Sequence, residues 1–550
     1  MKYSLLSWIG AMLAVVVSAS AQAQDTPRLY NLYMLGSELE ICSSMKQEWC
    51  ENTSWIQANE MRTARLFDLS DVRRRSATNQ AIWPDNREDI RNAVSEALAQ
   101  MSEHFGRGIV PEPRFVERFR SRAHLDLLMQ LTDAEYNRIL DTLELRRLEG
   151  LNEVANIEQS SPVTQEFITD IVNMMRPISG GSQPRLTLVT AAARNSFAQV
   201  QRYTSAFEQA GAIVQWLPLD SVVTKAQMMN ACDELEDFRR TDLDTYDRDR
   251  VSPQFHAQQV AYCEADNAWR DVLATTHGVF FLDGRAQRLR DAMVQNNDPV
   301  GFLGGVLERF REGSLIVFSE GEASNAMVQS NMLSNGTSRE AMRRRAQSRA
   351  APPLNCDLDN SCPRNLGTNT VTYDPLGGLG IFPFGTVDSE FAQRGRQVRL
   401  MKLAQQAAIP LSFGIDRNTG LQVNTAQSYF RVQGNEGVTI FEGVQGNRQF
   451  TAATFHYLQN GATGRLTSTS VNDIVMLEQP TTAPRNVTNR FLDNTGVYAS
   501  MTTLCQNGVA QLVEDIGQLI MQVSDDSQTQ SSRGRCQVVN GTMGVALNDD

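Results

Sequence analysis

The spacing of apolar and polar positions along the chain changes near residue 184. Upstream, RLYNLYMLGSELEIC at 28–42 reads as a buried strand closed by a tight turn at Gly36. Helical spacing follows. Ile90, Ala93, Val94, Ala97, Leu98 and Met101 fall on one face of a helix over 89–104. Thr132 to Glu135 forms a capping box ahead of a helix carrying Ile139, Leu140 and Leu143. Ser161 and Pro162 open another helix, with Phe167, Ile168, Ile171, Val172 and Met175 on its inner side. A linker, Ser179-Gly180-Gly181-Ser182, ends this region.

From 184 onward short apolar runs alternate with helical ones. RLTLVTAA is followed by a helix from Phe197 to Ala210 and by AIVQWLPL; GVFFLDG at 278–284 and SLIVFSEG at 314–321 each lead into a further helix. This alternation predicts a parallel sheet covered on both faces. Ligands of such sheets lie at the carboxyl ends of the strands, so the turns after Val189, Leu282 and Phe318 are the candidate site region. Residues 346–376 read as a loop. Beyond 410, LSFGI, YFRVQG, GVTIFEG and HYLQNGATGRL read as short strands, and Leu504 to Val523 as a last helix. The expected division is a first core strand at 28–42, a helical insertion at 43–183, an α/β core at 184–465 and a C-terminal extension at 466–550.

The N-terminus adds a compartment. Lys2, the apolar run Leu5 to Val17 and the small-residue site Ala21-Gln22-Ala23 predict a signal peptide over 1–23 and a periplasmic or secreted protein. That run is shorter than the roughly 20 residues a spanning helix needs, and no membrane span is expected in the mature chain. The chain has eight Cys. They fall into the close pairs Cys42 with Cys50, Cys232 with Cys263, Cys356 with Cys362, and Cys505 with Cys536. Disulfides are expected; neighbour pairing is the simplest connectivity, although sequence leaves the connectivity open. No C-x-x-C or His at zinc-ligand spacing accompanies them, so neither a metal nor another cofactor is expected. A net charge of −12 argues against nonspecific nucleic-acid binding. The acidic run Asp242, Asp244, Asp247 and Asp249 lacks the Gly and terminal Glu of a calcium loop and reads as solvated surface. Arg73–Arg75 and Arg343–Arg345 read as exposed charges.

Four segments occur in an order that resembles the cyanophycinases and their relatives among serine peptidases of the dipeptidase E type. HGVFFLDGRAQRL at 277–289 is similar to a strand and turn ending G-G-x-Q-x-x-L. GGLGIFPFGTVDSEFAQRGRQVRL at 377–400 is similar to G-L-G followed by D-x-H-F-x-x-R-x-R-x-x-R-L, with Asp388, Phe391, Arg394, Arg396, Arg399 and Leu400 in register. FGIDRNTGLQV at 413–423 resembles G-I-D-E-x-T-A-x-x-V, and FRVQGNEGVTIFEG at 430–443 resembles the closing strands. The resemblance covers about 28–42 and 184–465. It implies a three-layer α/β/α sandwich with a mostly parallel sheet, like that of class I glutamine amidotransferases. It also implies hydrolysis of unusual peptides, in cyanophycinase the Asp–Arg isopeptide unit of a storage polymer, by a Ser in G-T-S-A-G-A at a strand-to-helix elbow. Asp283, Gln287, Asp388, Arg394, Arg396 and Arg417 are the candidate binding residues.

The catalytic positions depart from that pattern. The elbow reads FSEGEASNA at 318–326. Registering it from the strand side puts Ser319 at the nucleophile; registering from the helix side puts Glu322 there. In the D-x-H-F segment the His position holds Glu390, the Glu after G-I-D is replaced by Arg417, and the first glycine-rich turn is Gly36-Ser37-Glu38. A Ser hydroxyl needs a base, and an ordinary Glu is a much weaker one than His. His104, His124, His256, His277 and His456 all lie elsewhere. Three readings follow. The first is a noncatalytic relative that binds a peptide or small ligand, with a cationic one favoured. The second is an active serine peptidase using Ser319 with a relocated base. The third is a hydrolase using Glu322 and Glu390 as a carboxylate pair.

Overall fold

The computed structural model describes residues 30–106, 108–483 and 485–548. The expected signal peptide lies outside the described residues.

The first strand, β1 (Leu32–Leu35), is wholly buried. Three long helices come before the second strand of the large sheet: α1 (Glu88–His104), α2 (Asp133–Leu143) and α3 (Pro162–Met175). The Thr132 capping box is present, with Glu135 accepting from the Thr132 amide and Thr132 from the Glu135 amide. α1 and α2 share an apolar cluster with Phe67, Phe115 and Phe119. α3 packs instead on the large sheet, through Phe167, Ile168, Ile171 and Met175.

The α/β alternation then runs β2 (Arg185–Val189), α4 (Val200–Gln209), β3 (Ile213–Leu217), β4 (Gly278–Phe281), α5 (Ala286–Met293), β5 (Ile316–Glu320) and α6 (Glu322–Asn325). Next come α7 (Ser338–Arg343), β6 (Thr386–Asp388), α8 (Gln397–Ala407), β7 (Leu411–Ile415), β8 (Thr419–Asn424) and β9 (Tyr429–Gly434). β10 (Gly437–Gly446), β11 (Phe450–Gln459), β12 (Thr463–Leu466) and β13 (Val471–Val475) follow.

The large sheet has nine strands in the order β13-β12-β9-β8-β1-β5-β4-β2-β3. From β1 to β3 neighbouring strands are parallel; from β1 to β13 they are antiparallel. The sheet is therefore mixed, not mostly parallel, because 419–475 returns as hairpins. β2 and β4 are hydrogen-bonded neighbours, as the alternation predicts. Side chains alternate across the parallel strands. Leu186, Leu188, Phe280, Ile316 and Phe318 meet α3 and α4 on one face. Val189, Val279, Phe281 and Val317 meet α5 on the other.

The expected helix over Leu504–Val523 is a correction. α9 (Met501–Asn507) ends at Gly508, whose φ of 74° stops it, and β14 (Val509–Glu514) and β15 (Gly517–Gln522) follow. Burial alternates residue by residue through VAQLVE, the period of a strand with one wet face. β16 (Gln528–Ser532) and β17 (Arg535–Leu547) complete a second sheet, ordered β6-β7-β10-β11-β17-β15-β14, with β16 on β17.

All four neighbouring Cys pairs are disulfides. They fit an oxidising, extracytoplasmic compartment. Among the described residues no helix is long and apolar enough to cross a membrane.

Candidate functional site

The carboxyl ends of β1, β4 and β5 converge where the alternation places them. β5 carries an acid at its end, then turns sharply into α6. The turning residue is Gly321, at φ 54° and ψ −136°, a backbone region that L side chains rarely adopt. The elbow therefore falls between the two candidate registers, on neither Ser319 nor Glu322. Ser319 lies inside β5, fully buried, its Oγ 3.1 Å from the Ser324 Oγ. Ser324 in turn donates to the Leu35 carbonyl at 2.8 Å. The Ser319 hydroxyl is thus held beneath the turn against Ser324, and among the described residues it has no hydrogen bond to a base.

The space above Gly321 is filled by Asp283, from the end of β4. A Cβ built on Gly321 would lie 2.0 Å from the Asp283 Oδ1. That oxygen accepts from the amides of Glu322, at 2.8 Å, and Gly284, at 2.7 Å. The amide after an elbow is the donor that would steady an oxyanion; here it is satisfied by a carboxylate of the same chain.

Asp283 belongs to a cluster of acids. Glu320, fully buried, accepts from the Tyr203 hydroxyl at 2.6 Å, the Leu39 amide at 2.9 Å and the Asp283 amide at 3.2 Å. Glu38 accepts from Gln199 at 3.0 Å and pairs with the buried Arg202. Burial, with the Glu38 and Asp283 charges, holds the Glu320 carboxyl well above the usual range. Burial pushes Asp283 up to about 7; the Glu38 and Glu322 charges add to this, while the Glu322 and Gly284 amides oppose it.

This sets a pH dependence. A carboxyl raised in the folded state holds its proton between its unfolded and folded pKa values, so stability falls as pH rises from about 4 to about 7. Asp283→Asn keeps an oxygen for both amides and removes the charge. The variant should match wild type near pH 4 and exceed it by about 1–3 kcal/mol at pH 8. Denaturant unfolding across that range checks this; parallel curves for the two proteins would refute it.

The candidate residues of 377–423 are ion-paired. Asp388, buried at the end of β6, accepts from Arg396 at 3.1 Å and from Arg399 at 2.8 and 2.6 Å. Arg396 also donates to the Ser389 carbonyl at 2.6 Å and reaches Glu322 at 3.4 Å. Glu390, at the position resembling the family's His, has a φ of 45° and pairs with Arg394 at 2.7 Å. Arg417 lies 3.9 Å from Glu390 and 3.8 Å from Glu40. Glu322 pairs with Arg396 and Glu390 with Arg394, and the charges of both acids help hold the Arg396 guanidinium protonated. Gln287 donates to Asp291 one helical turn away and joins no part of this cluster.

The histidines serve elsewhere. His277 precedes β4, at the opposite end from the elbow, and its Nδ1 accepts from the Arg185 amide at 3.0 Å. His456 lies in β11 against Glu442.

Sequence reasoning missed Gly321, Glu320, Tyr203 and Arg202. The signal for Gly321 was its residue type, since a positive-φ turn favours Gly. An acid closing an apolar strand marked Glu320. Nothing local marked Tyr203 or Arg202. The one group of described residues at metal-ligand spacing is Cys356, Asp357 and Cys362, and its two sulfurs are already joined to each other.

No family model matches the chain. A solved structure described as a peptidase from an acI-B1 Actinobacterium aligns with 55% of this chain and 91% of its own, at 14% identity and a TM-score of 0.32. At that TM-score the likeness says nothing about the chemistry.

Proposed function

We propose that this chain is an exported, catalytically degenerate relative of the cyanophycinase-like serine peptidases, with a three-layer α/β/α core, that binds a peptide or small ligand. One observation carries the reading: the elbow position is Gly321, and the Asp283 carboxyl occupies the space of a nucleophile side chain. In the G-G-x-Q-x-x-L pattern that 283–289 resembles, Asp283 stands at the first Gly. A Gly there leaves room for a nucleophile and frees the amide behind it; Asp283 takes both.

The remaining requirements are missing as well. The general base that activates a Ser is replaced by Glu390, tied to Arg394. A relocated base for Ser319 is unsupported, because that hydroxyl faces Ser324 within the core. A carboxylate pair of Glu322 and Glu390 is disfavoured because each is engaged by its own guanidinium, Arg396 and Arg394. The partly exposed carboxylates of Glu38, Glu40, Glu322 and Glu390 rim the strand ends, which favours an Arg- or Lys-bearing ligand.

The test is to incubate purified mature protein with β-Asp-Arg peptides and a serine-directed fluorophosphonate. No turnover and no labelling are expected, with weak, salt-sensitive binding of the peptides. Labelling that disappears in Ser319→Ala would overturn the proposal. Turnover abolished by Glu322→Gln or Glu390→Gln would overturn it in favour of acid–base hydrolysis.

A further inference from the structure

Away from the elbow, a cavity of about 230 Å³ opens between α8, the segment after α7 and the turn joining β10 to β11. Its charged lining is Arg344, Arg345, Arg399, Lys402 and Arg448, and no carboxylate lines it. Two of these charges are matched. Arg399 is neutralised by Asp388, and Arg344 pairs with Glu340 at 3.3 Å. Arg345, Lys402 and Arg448 have no carboxylate in ion-pair range among the described residues. In a chain of net charge −12, three unmatched cations around one small cavity are unexpected.

Two of them, Lys402 and Arg448, are held by backbone carbonyls. The Lys402 Nζ donates to the Arg448 carbonyl at 2.8 Å, and Arg448 donates to the Arg343 carbonyl at 2.8 Å. The rim is braced by Gln406, which donates to the Ala346 carbonyl at 2.9 Å, and by Asn447, which accepts from the Gln449 and Phe450 amides at 2.9 and 3.0 Å. Such bracing lowers the cost of ordering these side chains around a ligand. It also holds like charges together: burial and the neighbouring Arg448 push the Lys402 ammonium down to about 8. A bound anion would relieve that repulsion. Asp515, which lines an adjoining groove with Arg345 and Arg448, is taken up by Arg339 at 2.9 Å.

We propose that this cavity is a binding site for a small tetrahedral oxyanion, a phosphate or sulfate group, with Lys402, Arg448 and Arg345 as its ligands. Guanidinium and ammonium donors with no competing carboxylate are the chemistry that recognises such groups. The site is independent of the elbow, so its existence does not depend on whether the protein hydrolyses peptides.

The test is calorimetric titration of the mature protein at low ionic strength with inorganic phosphate, pyrophosphate and sulfate, against chloride. Saturable binding of one equivalent is expected for at least one oxyanion, and which one binds distinguishes a phosphate site from a sulfate site. Lys402→Gln and Arg448→Gln should each weaken it roughly tenfold or more, the worth of one charge-assisted hydrogen bond. Arg240→Gln, a distant exposed cation paired with Asp237, should leave it unchanged. Arg448 lies on an exposed turn, so its variant stays folded if Lys402→Gln does not. No saturable binding at millimolar concentration, or equal affinity in wild type and Arg448→Gln, would overturn the proposal.

Discussion

Gly321→Ala should destabilise the protein by about 3 kcal/mol or more, a large loss for a single methyl group. Two costs add. The backbone at φ 54° and ψ −136° disfavours any Cβ, at roughly 1–3 kcal/mol for such strain. The methyl would also lie 2.0 Å from the Asp283 Oδ1. The carboxyl must then leave the Glu322 and Gly284 amides, and a buried donor left without its partner costs a further 1–3 kcal/mol or so. Denaturant midpoints of the two proteins measure the sum. Asp283→Gly combined with Gly321→Ala should relieve the clash but keep both the backbone cost and the unpaired amides, so it should recover little of the loss. A single variant as stable as wild type would mean that the turn opens freely, and that the filled elbow is not a fixed feature.

Asp388→Ala should cost about 3–5 kcal/mol, because it leaves the buried Arg399 guanidinium without a carboxylate and Arg396 with only the partly exposed Glu322. Arg396 and Arg399 each keep 5% side-chain exposure, and Asp388 keeps none. Arg399 would retain only the Gly336 carbonyl, which does not neutralise charge, whereas Arg396 would retain the Ser389 carbonyl and the Glu322 carboxylate at 3.4 Å. Asp388→Asn, which preserves shape and one acceptor, should lose less than the Ala variant. Comparison of unfolding midpoints checks both, and equal losses would place the effect in charge and not in shape. Losses of that size would give Asp388, Arg396 and Arg399 a structural role, whatever else they do. Arg394, at 55% side-chain exposure, is not part of that network.

The sequence carried the elements of the parallel half of the sheet because RLTLV, GVFF and SLIVFSE are mostly apolar runs cut off by turns, too short for a helix that buries a face of its own. It placed α1, α2 and α3 through their periodic faces and their capping residues. It missed β14 and β15 because 504–523 has apolar residues at spacings that satisfy both periods; only Gly508 marked the break. The reading of Glu390 as standing at a base position rests on the resemblance of 377–400 alone. The elbow could not be placed, since Ser319 and Glu322 each fit one side of the motif and φ is not written in residue names. Asp283 above Gly321 was beyond reach for a different reason. It arrives from another strand, and only the register Phe281↔Ser319 brings the ends of β4 and β5 together.

The place of β1 bears on how the chain reaches this state. It is the first described strand, yet it sits inside the large sheet, with β5 on one side and β8 on the other. Asn31 and Thr425, 394 positions apart, are joined by side-chain hydrogen bonds. The entropy of closing so long a loop grows only with the logarithm of its length, but the search for the partner is slow, as in other topologies of high contact order. Until residues 420–423 are made, β1 has a bare apolar edge that invites pairing with another chain. Synthesis rate and holding factors should therefore govern the yield of folded protein more than its final stability does. Any truncation before β8 should aggregate instead of leaving a smaller folded core.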